Sequence, residues 1–243
     1  MVKIVKKGVI VAKNLTKKFG ELVALDNLDL EVEEHEFFGF LGPNGAGKTT
    51  ALKILTGQME PSSGYARVLG MNPTQEPVRI KENIGIVPEE EVLPSFLTVL
   101  EYMRFVCKVR RMQDAEGKIR GLLKFFEIEE KEDVLCNSLS RGEKHKVMLS
   151  SALIHEPDVL FLDEPLSGLD PISQIKTVRL LKQYAKEHGG IFMCTHMLDL
   201  AEKVCTRAGI IHRGRLLAFM RNPKRKSMEQ FFSKMVSRSG GLQ

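Results

Sequence analysis

Residues 42–49 have the composition and spacing of a polyphosphate-binding loop. They read Gly-Pro-Asn-Gly-Ala-Gly-Lys-Thr, which matches the pattern GxxxxGK[ST]. Glycines let the backbone curl so that amide groups point at a phosphate chain, and a following helix presents its positive end to the same anion. The Lys48 ammonium would bind the β and γ oxygens, and the Thr49 hydroxyl would bind Mg²⁺. The residues assigned to this site are Gly42, Pro43, Asn44, Gly45, Ala46, Gly47, Lys48, Thr49 and Thr50.

Two carboxylates, Asp163 and Glu164, follow an apolar run at residues 159–162. The run predicts a strand buried on both faces, and the carboxyl end of such a strand is where open α/β sheets bind ligands. Asp163 could hold Mg²⁺ through water, and Glu164 could accept a proton from an attacking water. Pro165 and Gly168 come next, so a polar strand end entering a turn is the structural alternative. Beside a phosphate loop, we favour the metal and base roles.

The elements that would position these groups alternate between strand and helix. An apolar strand at residues 37–41 leads into the phosphate loop, and a helix over 49–56 follows it. The strand at 159–162 is followed by a helix over 173–188 and by a strand at 191–194. This order predicts an α/β fold in which crossover helices connect the strands of a parallel sheet.

A helical insert interrupts the alternation between about residues 98 and 139. Thr98 and Glu101 form a capping-box pattern at a helix start. Apolar side chains at helical spacing then continue to Phe126. The tail, residues 222–243, is rich in lysine and arginine, and we expect a surface helix with a frayed end.

The composition is that of a folded protein, because 43% of the 243 residues are hydrophobic and 28% are charged. The formal charge of +5 is too small to indicate a nucleic-acid partner. No apolar run approaches the roughly 18 residues of a membrane helix, and no secretory signal is predicted. A membrane function would therefore need another chain to span the bilayer. The four cysteines are expected to be buried thiols, and five histidines are expected at the surface: His35, His145, His155, His188 and His212.

These motifs occur in the order found in ATP-binding subunits of ABC transporters, which the chain resembles over about residues 8–218. Phe19 is similar to the aromatic residue that stacks on adenine in that family. Leu-Ser-Arg-Gly-Glu at 139–143 is similar to the signature loop. Ser-Gly-Leu-Asp at 167–170 is similar to the loop that touches the opposite subunit, and His196 to the switch histidine. The combination is more specific than any single motif.

The resemblance implies roles for several side chains. Phe19 would stack on adenine, and His196 would contact the γ-phosphate. Ser140 and Gly142 would close over the ATP of the partner subunit. Glu89 occupies the place of a glutamine that touches Mg²⁺ and the attacking water. The implied catalytic residues are Glu164, His196 and Glu89, and the implied Mg²⁺ ligands are Thr49, Glu89 and Asp163.

Two of these proposed roles, those of Ser140 and Glu89, have a structural alternative. Ser140 and Glu143 also form a plain capping box, and Glu89 begins a run of three glutamates that could be a solvated turn. The chain departs from the family's usual pattern at Glu89, at Arg141 in place of a glycine and at Glu143 in place of a glutamine. Arg141 would add positive charge near the phosphates, whereas Glu143 would repel them.

The implied fold is a P-loop NTPase core with an antiparallel β lobe and a helical subdomain, all within one ATP-binding domain at residues 1–243. Residues 1–87 and 151–218 would form the core with the β lobe. Residues 88–150 would form the helical lobe, and 219–243 the C-terminal tail.

The implied function is ATP binding and hydrolysis that powers a membrane transporter. Two such subunits, identical or related, would dimerise head to tail around ATP and Mg²⁺ and act on an integral-membrane permease. The chain would lie on the cytoplasmic face of the cell membrane. Residues 97–102 and 208–218 are similar to stretches of exporters of drugs, lipids, sodium or polymers. An ABC ATPase acting on DNA or ribosomes remains an alternative, and a GTPase is disfavoured because no NKxD motif is present.

Overall fold

A computed structural model describes residues 8–238 as nine strands, eight α-helices and two short 3₁₀ helices. The predicted frayed end of the tail extends to residues 239–243, which lie outside the described range. The elements in chain order are β1 (Gly8–Phe19), β2 (Leu22–Glu33), β3 (Phe37–Leu41), α1 (Lys48–Leu55), β4 (Ser63–Val68), α2 (Pro77–Asn83), β5 (Ile84–Val87), α3 (Val99–Val109), α4 (Ala115–Phe125), α5 (Arg141–Leu153), β6 (Val159–Asp163), α6 (Pro171–Glu187), β7 (Gly190–Thr195), α7 (Leu198–Val204), β8 (Arg207–His212), β9 (Arg215–Arg221) and α8 (Arg225–Arg238).

The main sheet has six strands in the order β5-β6-β7-β3-β8-β9, and only the β8–β9 pair is antiparallel. Every residue of β3, β6 and β7 is buried, as their continuous apolar sequences predict. In the register of this sheet Leu41 pairs with Thr195, and Asp163 pairs with Cys194. The carboxyl ends of β3, β6 and β7 are therefore adjacent, and the loops that follow them converge on one edge.

The two faces of the main sheet are covered by different layers. A second, antiparallel sheet with the order β2-β1-β4 packs with α1 on one face, against Phe38, Phe40 and Phe192. Side chains alternate between the two faces of β2, because Leu28 and Leu30 are buried whereas Asp29 between them is exposed. This inward and outward alternation allows one side of the small sheet to face solvent.

Helices α3, α4 and α5 share an apolar cluster with the other face of the main sheet. Helix α3 begins with the predicted capping box, since the Thr98 hydroxyl accepts from the Glu101 amide and the Glu101 carboxylate accepts from the Thr98 amide. Met103, Ile119 and Leu123 are completely buried, which confirms the predicted apolar faces of these helices. Burial of this kind contributes about 1.5–3 kcal/mol for each large apolar side chain.

The four cysteines are buried free thiols, as predicted. The tail forms α8, which is not simply a surface helix, because Met228 is completely buried beside α7 and Arg225 forms an ion pair with Asp199. Across the described residues, no helix has both the length and the apolarity needed to cross a membrane.

Of the five histidines expected at the surface, His35 and His188 are exposed, and His155 and His212 are half-buried. The prediction is wrong for His145, which is buried. His145 is 2% exposed, and its Nε2 lies 2.7 Å from the carbonyl oxygen of Pro165. The Nε2 of His155, which is half-buried, lies 3.1 Å from the carbonyl oxygen of Ile84. Burial lowers the pKa of His145, and burial with the charge of Arg110 lowers the pKa of His155 to about 4. The imidazole rings of His145 and His155 are thus each hydrogen-bonded to a backbone carbonyl oxygen.

We expect the stability of the protein to fall as the pH drops from about 6.5 toward 4. The unfolded chain protonates both histidines below about pH 6.5, whereas the folded chain keeps them neutral. The loss that His155 causes should reach about 2 kcal/mol at pH 5. Thermal unfolding of His155→Gln should show a flatter pH profile between 6.5 and 5. The exposed His188→Gln should follow the wild type, and an unchanged profile in His155→Gln would contradict the assignment.

Candidate functional site

The phosphate loop joins the end of β3 to the first turn of α1. Gly47 has φ of 107°, and a β carbon there would lie 2.5 Å from the carbonyl oxygen of Ala24. A β carbon on Gly42 would lie 2.4 Å from the carbonyl oxygen of Ile211. Glycine is thus required at both ends of the turn. Among the described residues no side chain caps α1, so its first amides are available to an anion.

Lys48 is held inside this loop. Its ammonium donates to the carbonyl oxygens of Gly42, at 2.8 Å, and of Pro43, at 3.1 Å, and the residue is 7% exposed. A buried ammonium with only neutral carbonyls as partners favours an anion at the mouth of the loop. Gly42 and Pro43 therefore contribute to the motif through their backbone carbonyl oxygens, which bind the Lys48 ammonium.

Thr49 and Asp163 meet although 114 residues separate them. The Thr49 hydroxyl donates to Asp163 Oδ2 at 2.8 Å. Within residues 8–238, Asp163 Oδ1 is buried and has no hydrogen-bond partner. Burial raises the pKa of Asp163, and the charges of Glu89 and Glu164 raise it further. Hydroxyl and carboxylate oxygens are the ligands that Mg²⁺ prefers, so Thr49 and the partnerless Oδ1 of Asp163 fit a magnesium site.

Glu164 lies at the carboxyl end of β6 and is 7% exposed. Its Oε2 accepts from the Thr195 hydroxyl at 2.8 Å, and its Oε1 accepts from the His196 amide at 2.9 Å and from His196 Nδ1 at 2.7 Å. Its φ of 49° lies in the left-handed region, which is costly for a residue with a side chain and recurs at functional sites. The end of β7 therefore fixes the carboxylate of Glu164.

A cleft of about 720 Å³ opens over these groups. Phe19 lies on its wall and is 46% exposed. Ser140, Gly142 and His196 do not line it. The lining residues are Phe19, Leu22, Val23, Ala24, Asn44, Gly45, Gly47, Lys48, Thr49, Thr50, Glu89, Asp163, Glu164 and Arg213.

The 139–143 loop starts α5. Ser140 is the N-cap, its hydroxyl accepts from the Glu143 amide at 3.3 Å, and the Glu143 carboxylate accepts from the Ser140 amide at 2.8 Å. The hydrogen bond from the Ser140 backbone lowers the pKa of Glu143. The capping box is thus present, and Glu143 has a local structural partner in addition to any role toward phosphate.

Sequence reasoning missed Arg213. This residue precedes Gly214 in the β8–β9 turn, and Gly214 donates its amide to Ala46 of the phosphate loop at 2.9 Å. Strand β8 is the neighbour of β3, so its end must lie beside the phosphate loop. An Arg-Gly turn after the strand at 207–212 was the available signal, but only the strand order shows which loop it meets.

A model of the ABC transporter family matches residues 25–167. The chain is 37% identical over 212 residues to the "Probable multidrug ABC transporter ATP-binding protein YbhF" of Escherichia coli (strain K12), covering 86% of this chain and 36% of that protein. It is 35% identical over 208 residues to the "Nod factor export ATP-binding protein I" of Cupriavidus metallidurans, covering 85% and 69%. The chain thus spans about a third of the first relative and about two thirds of the second.

Two solved structures share the fold. A structure titled "Structure of ATP binding subunit of ABC transporter" has a TM-score of 0.84 and 28% identity over 92% of this chain and 93% of its own. A "Dimeric structure of a post-hydrolysis state of the ATP-binding cassette MJ0796 bound to ADP and Pi" has a TM-score of 0.81 and 26% identity over 88% and 99%. The chain belongs to the ABC transporter family. Within it, the chain is an ATP-binding domain.

Proposed function

We propose that the chain hydrolyses ATP as one half of a head-to-tail pair and thereby drives an integral-membrane permease, of the exporting kind. The observation that carries this proposal is the convergence of Lys48, Thr49, Asp163 and Glu164 on one cleft, at the carboxyl ends of β3 and β6. A cleft with this donor set can hold a nucleoside triphosphate and an activated water.

The residues of the cleft divide the work of hydrolysis. Lys48 and the loop amides bind the phosphates, and Phe19 offers a ring face to adenine. Thr49, Asp163 and Glu89 would hold Mg²⁺, which neutralises charge on the β and γ oxygens when bound. Thr195 and His196 hold the carboxylate of Glu164 in place. From that position Glu164 accepts a proton from the attacking water.

His196 is hydrogen-bonded to Glu164, the proposed general base. Its Nδ1 lies 2.7 Å from the Glu164 carboxylate, so Nδ1 carries the proton of that bond. Its Nε2 can donate to a γ-phosphate oxygen only when the ring is a doubly protonated imidazolium. His196 thus links the base to the phosphate only in its charged form.

A pair of subunits is needed to complete the site. Ser140 and Gly142 lie outside the cleft of their own chain, at the start of α5. A helix start is an anion site, so these residues suit the γ-phosphate bound by a partner. The dimeric structural neighbour supports this arrangement. The two halves would be identical or closely related chains.

Export is supported by the relatives, whose printed names are a multidrug transporter protein and a Nod factor export protein. The chain would act at the cytoplasmic face of the membrane, where its permease would be anchored. The test is isolation of the native chain from membranes with mild detergent, followed by identification of the proteins that accompany it. An integral-membrane partner that stimulates Mg²⁺-dependent ATP hydrolysis supports the proposal. Ribosomal or DNA-bound partners would contradict it.

We expect Arg213→Gln to weaken ATP binding by about three- to tenfold, because Arg213 lines the cleft and the turn that carries it is hydrogen-bonded to the phosphate loop. The turnover number at saturating ATP should stay near wild type. Titration of purified protein with a fluorescent ATP analogue measures the change. Arg215→Gln is the matched control, since Arg215 pairs with Asp26 and does not line the cleft. Equal affinity in both variants would exclude Arg213 from nucleotide binding.

A further inference from the structure

Arg141, which stands where the family usually has a glycine, connects the signature loop to the turn after Glu164. Its Nη2 donates to the Ser167 hydroxyl at 2.9 Å. The arginine stem also lies over Gly168, because a β carbon there would be 3.0 Å from Arg141 Cγ. The first turn of α5 and the 165–169 turn are thus in direct contact.

Glu91 connects the same helix turn to a third segment. Its carboxylate lies 3.5 Å from Arg141 Nε and 3.5 Å from Lys144 Nζ, and its side chain is 25% exposed. Glu91 follows Glu89 by two residues, and Glu89 lines the nucleotide cleft. A partly buried carboxylate between two cations is held more firmly than a surface pair.

The three connected segments serve different ATP molecules in the proposed pair. Glu89 and Glu164, which precede Glu91 and the 165–169 turn, line the cleft for the chain's own ATP. Ser167 also begins the 167–170 loop, which by its resemblance would touch the opposite subunit. Arg141 lies between Ser140 and Gly142, which would face the ATP of the partner. A guanidinium is suited to such a junction because it donates in several fixed directions.

We propose that Arg141 is a positioning residue that, through Glu91 and Ser167, couples the chain's own nucleotide site to the loop that closes on its partner's ATP. This inference rests on the proposed paired function. Binding of ATP in a chain's own cleft would then set the position of that chain's signature loop. The two ATP sites of the pair would therefore act cooperatively.

The first test is hydrogen exchange of the nucleotide-free protein, which does not depend on hydrolysis. The amides of Ser167 and Leu169 are hydrogen-bonded within their turn, so their exchange reports its opening. Glu91→Gln should speed their exchange about two- to fivefold by freeing Arg141. Glu90→Gln, which removes the neighbouring charge, should not. Equal exchange in Glu91→Gln and wild type, or an equal effect of Glu90→Gln, would overturn the proposal.

The second test is the dependence of hydrolysis on ATP concentration. Glu91→Gln and Arg141→Gln should each lower the Hill coefficient, and the double variant should lower it no further. Affinity of the protomer for a fluorescent ATP analogue should be unchanged, since neither residue lines the cleft. Arg141→Lys keeps the charge near Glu91 and should retain part of the cooperativity. Additive effects of the two substitutions on the Hill coefficient would refute the coupling. Absence of hydrolysis in the wild type would instead refute the proposed function, and the hydrogen-exchange test would then decide on the coupling.

Discussion

Replacing Glu164 by glutamine should slow ATP hydrolysis by about 10²–10⁴-fold and leave ATP affinity near the wild-type value. The amide is nearly the same size as the carboxylate and can still accept from the Thr195 hydroxyl and the His196 amide. It cannot take a proton from water at neutral pH. The variant therefore separates proton transfer from binding.

Phosphate release under saturating Mg²⁺-ATP, together with a nucleotide titration, measures both quantities for Glu164→Gln. The exposed carboxylate of α7 provides a control, since Glu202→Gln should hydrolyse ATP at the wild-type rate. Turnover of Glu164→Gln equal to that of the wild type would show that another group is the base. Lost affinity with the fold intact would show that Glu164 mainly contributes to binding.

Replacing Lys48 by alanine should reduce nucleotide affinity by about 100-fold or more. The ammonium is the buried cation of the phosphate loop, and each hydrogen bond to a charged group contributes about 1.5–3 kcal/mol. The change also removes two bonds to the carbonyls of Gly42 and Pro43, so the loop itself loses a partner.

Calorimetric titration with ATP measures the effect of Lys48→Ala, and circular dichroism checks the fold of the variant. Lys53→Ala is the matched control, because Lys53 lies in the last turn of the same helix and is exposed. It should bind as the wild type does. Wild-type affinity in a folded Lys48→Ala protein would contradict the assignment of the phosphate loop.

The core of the site could be predicted from the sequence because its signals are local. The glycine spacing of residues 42–49, and the carboxylates after the apolar run at 159–162, each define a loop at a strand end. Parallel strands then bring such ends to one edge, where Thr49 is hydrogen-bonded to Asp163. The capping boxes at Thr98 and Ser140 could be predicted for the same reason, since a capping box involves residues only three apart.

Features that depend on long-range packing could not be predicted. His145 lies in a helix start rich in charged residues, and nothing in that pattern shows that its ring meets the carbonyl of Pro165. Arg213 reaches the cleft only because β8 lies next to β3. The pairing of Arg141 with Glu91 joins positions fifty residues apart through two loops. Periodicity gives the elements, whereas strand order and loop contacts decide these neighbours.

In the proposed pair, ATP joins two subunits, and each closes its signature loop on the nucleotide of the other. Light scattering of Glu164→Gln with Mg²⁺-ATP measures this pairing, because the ATP-bound state persists when hydrolysis is blocked. We expect a nucleotide-dependent particle of twice the 27.4 kDa of one chain. Single chains at saturating ATP, and still no pairing when the cognate permease is added, would contradict it.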